Sequence, residues 1–334
     1  MIQADKAESG WSAAFICMIW VGKTENQGEW KGRMAMENWR QIATEEKNSN
    51  TEKIDTLTTL EMVRLINEED KKVAVAVEAE LEHIAAAIDI IAAQLRMGGR
   101  LIYSGCGTSG RLGVLDAAEC PPTYSTDPNR VVGLIAGGKE AMFSAVEGAE
   151  DSEQLGAEDL KKIGFGSRDV LVGIAASGRT PYVIGAMKYA ISCGAHVFGV
   201  TCSPGSEIER EAEIAITPTP GPEVVTGSTR MKSGTAQKMV LNMLSTGAMI
   251  KLGKVYGNLM VDVKPSNEKL IHRCQRIVSE AAHVSEEEAT AVLEKCDYRP
   301  KTAIVMLLRK VGAEEAKELL ERNEGKVSAA IGEV

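Results

Sequence analysis

The most constraining feature of the sequence is a short apolar run that leads directly into glycines, hydroxyl-bearing residues and a helical pattern. The run 101–104 is followed by Gly105-Cys-Gly-Thr-Ser-Gly and then by a helix-like segment. This order is typical of a strand, a tight loop and the N-terminus of a helix. Backbone N–H groups, the helix dipole and the hydroxyls of Thr108 and Ser109 favour a bound anion. The stretch therefore predicts a phosphate site, with Gly110 in its loop.

The glycine spacing also permits two other interpretations. Gly105-x-Gly-x-x-Gly matches a dinucleotide-binding fingerprint. That motif needs an acidic residue after the next strand, whereas the apolar run 131–136 is followed by two glycines. An ordinary strand-to-helix turn would give the same pattern. The sequence favours a phosphate over a dinucleotide and leaves the plain turn open.

Five short apolar runs alternate with helical stretches from residue 100 onwards. We predict strands at 100–104, 131–136, 170–174, 196–200 and 214–217. Such alternation is typical of a parallel sheet with crossover helices. In doubly wound sheets, ligands bind beyond the carboxyl ends of the strands, where the strand order reverses. We therefore predict an α/β fold with a doubly wound, mostly parallel five-stranded sheet flanked by helices, and a site formed by the loops after strands one and three.

Two further segments carry hydroxyl groups at predicted helix starts. The loop after the third strand contributes Ser177, Gly178, Arg179 and Thr180. Segment 221–236 carries five hydroxyl groups and two cations before an apolar helix. Its candidate ligands are Ser228, Thr229 and Lys232. Backbone N–H groups and hydroxyls at helix starts bind phosphate well, so both segments are candidate parts of the anion site.

Two glutamates are the candidate catalytic groups. Glu119 lies where the first-loop helix is expected to end, and Glu150 lies in an acidic segment after the second strand. Two carboxyl groups in unequal surroundings can act as general acid and general base. Each also has a structural interpretation, because Glu119 could be an ordinary helix end and the acids around Glu150 could complement a helix dipole.

The charge and the dispersed metal-binding residues argue against several classes of function. The formal net charge is −9 over 334 residues, which disfavours nucleic acid or an anionic membrane as the main partner. Seven cysteines and four histidines are scattered without metal-site spacing, so neither a disulfide framework nor a zinc site is predicted. We expect a cytoplasmic protein whose chemistry needs no metal and no cofactor.

The N-terminal segment 1–43 differs from the rest of the chain. Its apolar run 11–21 is shorter than the ~20 residues of a membrane span. The residues before it are not basic overall, because Asp5 and Glu8 outweigh Lys6, so neither a span nor a signal peptide is predicted. We expect this segment to be an extension, with Met34 or Met36 as the more natural start.

The remaining chain divides into two predicted domains. The first, 44–264, contains the sheet and is preceded by N-terminal helices, one of them running from Val73 to Met97. The second, 265–334, consists of short charged amphipathic stretches, which predict a small helical bundle.

Six motifs together resemble a known family. They are Gly105-x-Gly-Thr-Ser-Gly-Arg-Leu-Gly, Asp116-Ala-x-Glu-Cys-Pro-Pro-Thr, Ala145-Val-Glu-Gly-Ala-Glu-Asp, Ala175-Ala-Ser-Gly-Arg-Thr-Pro-Tyr, the segment 221–238 and Gly257-Asn-Leu-Met-Val-Asp. The first and fourth resemble sugar isomerase (SIS) phosphosugar-binding domains. The whole set, from about Thr44 onwards, resembles the N-acetylmuramic acid 6-phosphate etherases. Glucokinase regulatory protein shares the segment 221–238 and is similar in a weaker way.

The resemblance implies a carbon–oxygen lyase of amino-sugar metabolism and peptidoglycan recycling. Such an enzyme cleaves the D-lactyl ether of N-acetylmuramic acid 6-phosphate by elimination and hydration, giving N-acetylglucosamine 6-phosphate and D-lactate. Glu119 would be the acid/base that assists lactate departure, and Glu150 the second carboxylate. The phosphate would be held by Ser109, Ser177 and Thr180, with Thr108, Ser228 and Thr229 nearby. The resemblance also implies a homodimer and a C-terminal bundle like ubiquitin-associated domains.

Two alternatives remain open from the sequence. One is an aldose–ketose isomerase that removes the same C2 proton without losing a leaving group. The other is a non-catalytic sugar-phosphate sensor. Release of lactate would separate the etherase from the isomerase, and binding without turnover would indicate the sensor.

Overall fold

The fold is taken from a computed structural model that describes residues 43–263, 265 and 267–333. Its main sheet has five parallel strands: β1 (Leu101–Gly105), β2 (Val131–Ile135), β3 (Val170–Ile174), β4 (His196–Val200) and β5 (Ile214–Ile216). Their order across the sheet is β2-β1-β3-β4-β5. Strand β2 is added on one side of β1, and β3, β4 and β5 are added on the other side. The strand order therefore reverses between β1 and β3, which confirms the predicted doubly wound fold and its switch point.

Eight α-helices accompany this sheet among the described residues. They are α1 (Thr59–Asp70), α2 (Lys72–Glu78), α3 (Leu81–Arg96), α4 (Gly107–Tyr124), α5 (Glu153–Lys162), α6 (Pro181–Ser192), α7 (Glu207–Glu211) and α8 (Lys232–Lys251). Short 3₁₀ turns lie at Ala43–Glu45, Ile54–Thr56 and Gly138–Met142. Layers of helices on both faces are the arrangement that a parallel sheet requires, because both of its faces are apolar.

Two hydrophobic cores lie on opposite faces of the sheet. Successive side chains of a strand point to opposite faces. Leu101 and Tyr103 accordingly enter the core formed with α2, α3, α4 and α8. Ile102 enters the core formed with α5, α6 and α7. Strands β1 and β3 are buried along their whole length, so the loops that follow them start from the interior of the sheet.

The single helix predicted from Val73 to Met97 is wrong. The structure has α2 and α3, separated at Ala79–Glu80. Both helices contact α8, and the buried positions Val73, Val77 and Ile84 keep helical spacing across the break. The apolar periodicity therefore conceals the interruption.

The C-terminal region is helical and has its own hydrophobic core. Its helices are α9 (Glu268–Ala282), α10 (Glu286–Leu293), α11 (Pro300–Arg309), α12 (Ala313–Arg322) and α13 (Val327–Ile331), with a 3₁₀ turn at Glu294–Cys296. An antiparallel hairpin, β6 (Val255–Tyr256) and β7 (Leu259–Met260), precedes them. This third core runs from Val261 to Ala330. The helical bundle is as predicted, whereas α13 and the hairpin were not predicted.

Some predictions concern residues outside this description. The extension 1–43 and a start at Met34 or Met36 fall outside the described residues, apart from residue 43 itself. The boundary between 264 and 265 stays a prediction. Among the described residues, no helix has the length and apolar character needed to cross a membrane.

Candidate active site at the β1–β3 switch point

The first loop lies between β1 and α4. Cys106 is extended at the N-cap, and α4 begins at Gly107. Thr108 is half-buried, whereas Ser109 and Gly110 are buried. The hydroxyl of Ser109 donates a hydrogen bond of 2.9 Å to Oε1 of Gln237 on α8. The loop is thus tied to a second helix through one of its own candidate phosphate ligands.

Gly110 is required by the close approach of α4 to the end of β1. A Cβ at this position would lie 2.7 Å from both the Gly105 carbonyl oxygen and Cγ1 of Ile135. Gly105 is equally constrained, because its Cβ would lie 2.7 Å from the Gly110 backbone nitrogen. These glycines let the helix start directly at the strand end, so that its N–H groups face the switch point.

We expect Gly110→Ala to destabilise the protein by about 1–3 kcal/mol, the usual cost of overpacking. It should also weaken binding of a phosphate ligand at the predicted anion site, because the first turn of α4 must move. Gly166→Ala is the matched control, since a Cβ there meets no atom within 4 Å. Thermal unfolding and calorimetric binding would measure both effects. Equal melting temperatures for the two variants would contradict this account of Gly110.

The second loop lies between β3 and α6. Gly178 has a φ of +65°, and a Cβ on it would lie 2.2 Å from Oγ of Ser206, so only glycine fits. The Ser177 hydroxyl accepts a 3.4 Å hydrogen bond from the backbone N–H of Arg179. Thr180 is the N-cap of α6 and Pro181 its first residue. Both hydroxyls therefore lie at the start of a helix beside the first loop.

Glu150 lies next to this second loop. Its Oε1 accepts a 3.1 Å hydrogen bond from the Thr180 hydroxyl, and its backbone carbonyl accepts one of 2.9 Å from the N–H of Tyr182. The Glu150 residue as a whole is exposed. A catalytic carboxylate candidate is thus fixed beside a phosphate candidate while remaining open to a ligand.

Cys106 connects the first loop to Glu150. Burial and the neighbouring Glu150 carboxylate raise the pKa of the Cys106 thiol to about 12. A thiol with so high a pKa stays protonated at neutral pH and is a poor nucleophile. Cys106 has no predicted role, and its proximity to Glu150 cannot be inferred from their spacing in the sequence.

Glu119 lies on α4, and the predicted helix end at this residue is wrong. The helix continues through Pro121 and Pro122 to Tyr124, and ends at Ser125 in the left-handed conformation. Prolines usually stop helices because they lack an N–H donor. Here the buried Cys120 and Tyr124 pack in the core and hold the last turn. Glu119 itself is exposed, and no hydrogen bond or ion pair between described residues joins it to Glu150.

A buried polar network anchors α4 one turn before Glu119. Asp116 is 6 % exposed and accepts hydrogen bonds from Tyr103 (2.8 Å), Asn242 (2.8 Å) and Ser245 (3.1 Å). Burial raises the pKa of Asp116, although these hydrogen bonds oppose the rise. The network joins β1, α4 and α8, and so fixes the helix that carries Glu119. Asp116 belongs to one of the six motifs, but the sequence alone predicts no role for it.

The third loop precedes α8 and reaches the first loop. Ser228 and Thr229 are partly buried, and the carbonyl of Thr229 accepts a 2.9 Å hydrogen bond from the N–H of Gly234. A Cβ on Gly234 would lie 3.4 Å from Cγ2 of Thr108 and 3.5 Å from that same carbonyl. The structure therefore brings the first turn of α8, which follows the third loop, against Thr108.

The interpretation of Lys232 as a phosphate ligand needs correction. Its side chain is 1 % exposed, and Nζ donates to Oε2 of Glu69 at 2.8 Å and to the Pro220 carbonyl at 3.1 Å. Both carboxylate oxygens of Glu223 accept backbone N–H groups at the start of α8, from Lys232 and Ser233. A buried ammonium with a buried carboxylate partner is already neutralised. Lys232 therefore has a structural role, because its ammonium group links Glu69 on α1 to the carbonyl of Pro220 just before the third loop.

Known family models match the part of the chain in which strands and helices alternate. Residues 83–191 match the glucokinase regulatory protein N-terminal SIS domain, and residues 163–247 match the SIS domain. Residues 257–302 match the C-terminal lid domain of glucokinase regulatory protein. A solved phosphoheptose isomerase from Neisseria gonorrhoeae superposes with a TM-score of 0.44 at 20 % identity, over 57 % of this chain and 98 % of that chain. The two SIS family matches together cover all three loops.

Full-length relatives are much more similar. An N-acetylmuramic acid 6-phosphate etherase from Clostridium beijerinckii is 58 % identical over 297 residues, which are 89 % of this chain and 98 % of that protein. The protein of the same name from Photorhabdus laumondii is 58 % identical, over 89 % of this chain and 99 % of its own length. On this similarity, and with the SIS matches across the switch point, the chain belongs to the N-acetylmuramic acid 6-phosphate etherase family.

Proposed function

We propose that this protein cleaves the D-lactyl ether of N-acetylmuramic acid 6-phosphate, giving N-acetylglucosamine 6-phosphate and D-lactate. The observation that carries the proposal is the position of Glu150 at the switch point. Its carboxylate accepts a hydrogen bond from Thr180, which lies in the second of the candidate phosphate-binding loops. Relatives of 58 % identity bear the name of this activity. A carboxylate fixed beside an anion site is the arrangement that acid–base chemistry on a sugar phosphate requires.

The phosphate would be bound by the three loops at the switch point. Ser109, Ser177 and Thr180 are its proposed hydroxyl ligands, with Thr108, Ser228 and Thr229 alongside. Thr180 would donate to the phosphate once its proton leaves Oε1 of Glu150. Gly110, Gly178 and Arg179 would complete the loops around the phosphate. Charge-assisted hydrogen bonds of this kind are about twice as strong as neutral ones. Binding energy from the remote phosphate would hold C2 and C3 of the sugar at the carboxylates.

The two glutamates would divide the proton transfers. In the open-chain aldehyde the C2 proton is acidified by the adjacent carbonyl, and one carboxylate removes it. Glu119 as the acid protonates the ether oxygen while the C3–O bond breaks, which releases lactate and leaves a C2–C3 double bond. Water then adds across that bond, placing hydroxyl on C3 and hydrogen on C2. Each step uses only proton transfer by positioned carboxyl groups.

The isotope pattern of the products tests this reaction. Incubation with N-acetylmuramic acid 6-phosphate in H₂¹⁸O should release lactate with an unlabelled hydroxyl and should label the C3 hydroxyl of N-acetylglucosamine 6-phosphate. In ²H₂O, deuterium should appear at C2. Mass spectrometry of both products measures the outcome. Label in the lactate hydroxyl would mean attack on the lactyl carbon and would refute elimination.

The same assay separates the alternative functions. An isomerase would convert a sugar phosphate without releasing lactate, and a sensor would bind it without turnover. The unphosphorylated sugar is the control for the anion site, because without its phosphate it loses the binding energy that the three loops supply. Equal turnover of both sugars would contradict the phosphate site.

We also propose that the protein acts in the cytoplasm as a homodimer. The exposed Glu119 lies on α4, and Arg111 of the same helix donates a 3.0 Å hydrogen bond to the Met142 carbonyl. The adjacent Phe143 is 94 % exposed. A second copy of the chain would cover this side chain. Nucleic acid and membranes are not proposed as partners.

A further inference from the structure

Gln237 occupies an unusual position behind the first loop. It is 1 % exposed and lies on α8 among residues of the apolar core that α4 and α8 share. Its Oε1 accepts the Ser109 hydroxyl at 2.9 Å, whereas its Nε2 is buried without a hydrogen-bond partner among the described residues. Buried amide groups that lack a partner are rare in proteins and require an explanation. An apolar residue would fill this place without that penalty.

The hydrogen bond between Ser109 and Gln237 has a direct consequence for phosphate binding. A serine hydroxyl has one proton to donate. In this structure that proton points to Oε1 of Gln237, which leaves Ser109 with lone pairs only toward any other group. A phosphate dianion accepts hydrogen bonds and has none to donate. Ser109 can therefore bind a phosphate only after its proton turns away from Gln237.

The side chain of Gln237 can support both states. A half-turn of its amide group exchanges Oε1 and Nε2 at almost constant shape, since the two ends are nearly the same size. The Nε2 group would then donate to Oγ of Ser109, and the serine proton would be free for the phosphate. The unpartnered donor seen here would gain its hydrogen bond in this second state.

We propose that Gln237 is a positioning residue that sets the direction of the Ser109 hydroxyl, as an acceptor in the free protein and as a donor when phosphate is bound. The inference rests on the proposed function only in placing phosphate at Ser109. Gln237 acts through Ser109 and does not itself touch the ligand, because it is buried behind that residue.

The test is a double-mutant cycle read by calorimetric binding of N-acetylglucosamine 6-phosphate, which needs no turnover. Gln237→Glu supplies acceptors only when ionised, so it should hold the serine proton and raise the Kd at least about tenfold, the effect of one lost hydrogen bond to a charged group. In a Ser109→Ala background, Gln237→Glu can act only through repulsion between its carboxylate and the phosphate. The rise in Kd that it causes there should be at least about fivefold smaller than in the parent. Equal effects in both backgrounds would overturn the proposal.

A second variant decides the question if Gln237→Glu fails to fold. Gln237→Met is apolar and of similar length, so it removes both hydrogen-bonding ends without adding a charge. It should raise the Kd at least about threefold in the parent, because nothing then orients Oγ of Ser109, and should leave the Ser109→Ala protein unchanged. An unchanged Kd in the parent, or the same change in both backgrounds, would refute the role. Turnover of the parent is measured separately, so loss of the proposed function would not be mistaken for loss of this coupling.

If the parent is active, steady-state kinetics give an independent readout. Gln237→Glu should raise KM while kcat stays within about threefold, because the residue orients a phosphate ligand and not the carboxylates. A general loss of packing would instead lower the melting temperature and reduce kcat together. A fall in kcat at unchanged KM would contradict the proposal.

Discussion

The Glu119→Gln protein is expected to release lactate at least about 10²-fold more slowly than the parent, the lower range for losing a positioned general acid or base. Glutamine keeps the shape of the side chain but carries no transferable carboxyl proton. Glu119 is exposed on α4, so the substitution disturbs no buried contact. Binding of N-acetylglucosamine 6-phosphate should therefore be retained, because the phosphate loops are untouched.

A matched control distinguishes catalysis from a general effect of charge. Glu147→Gln removes one negative charge from an exposed glutamate in the same acidic segment as Glu150. Lactate release by this variant should stay within about twofold of the parent, since exposed charges are largely screened. Glu150→Gln should be as slow as Glu119→Gln if both carboxylates act in the elimination. A Glu119→Gln protein as fast as the parent would refute the proposed acid.

Lys232→Met should cost about 3–5 kcal/mol of stability, the usual consequence of removing one partner of a buried ion pair. The substitution leaves the Glu69 carboxylate, 3 % exposed, without its 2.8 Å contact to the ammonium. That carboxylate still accepts from Asn50 at 3.0 Å and Lys72 at 2.6 Å, so the protein can fold with reduced stability. Denaturant unfolding would measure the loss.

An exposed pair in the same part of the chain is the control for this prediction. Lys71 lies 2.6 Å from Glu68, and both side chains are more than half exposed, at 61 % and 65 %. Lys71→Met should change stability by no more than about 1 kcal/mol, as surface pairs do. Similar losses for Lys71→Met and Lys232→Met would show that burial of the Glu69–Lys232 pair has no special effect.

The same buried pair predicts how stability depends on pH. Burial raises the pKa of Glu69, but hydrogen bonds from Lys232, Lys72 and Asn50 outweigh it and lower the pKa from 4.5 to about 2. A lowered folded-state pKa contributes stability above the unfolded value, and that contribution disappears as pH falls from about 4.5 toward 2. The shift corresponds to about 3 kcal/mol. The stability difference between the parent and Glu69→Gln should shrink over this pH range, and a constant difference would contradict it.

The sheet could be predicted because its signals are local. All five strands begin and end within one residue of the predicted positions, since each is a short apolar run bounded by glycines or polar residues. Helix boundaries were less certain. The break between α2 and α3 and the continuation of α4 through Pro121 depend on packing against α8 and the core, and neither contact is visible in the periodicity.

The position of the site could be predicted, but not the partners of its residues. Hydroxyls and glycines after β1 and β3 pointed to the switch point, because the carboxyl ends of parallel strands meet at one edge. The hydrogen bonds from Thr180 to Glu150 and from Ser109 to Gln237 join residues 30 and 128 positions apart in the chain. No spacing rule covers such distances.

Lys232 shows most clearly what only the tertiary structure decided. In the sequence it stands among hydroxyls and another cation, which is the composition of an anion site. In the folded chain Glu69, 163 residues away, neutralises it in the interior. The sequence by itself determined where the five strands lie along the chain, which glycines allow a helix to start at a strand end, and which family the motifs resemble. Which buried polar groups pair with one another was set by packing of distant segments, because a charge or amide in the core is stable only beside a partner that the fold supplies.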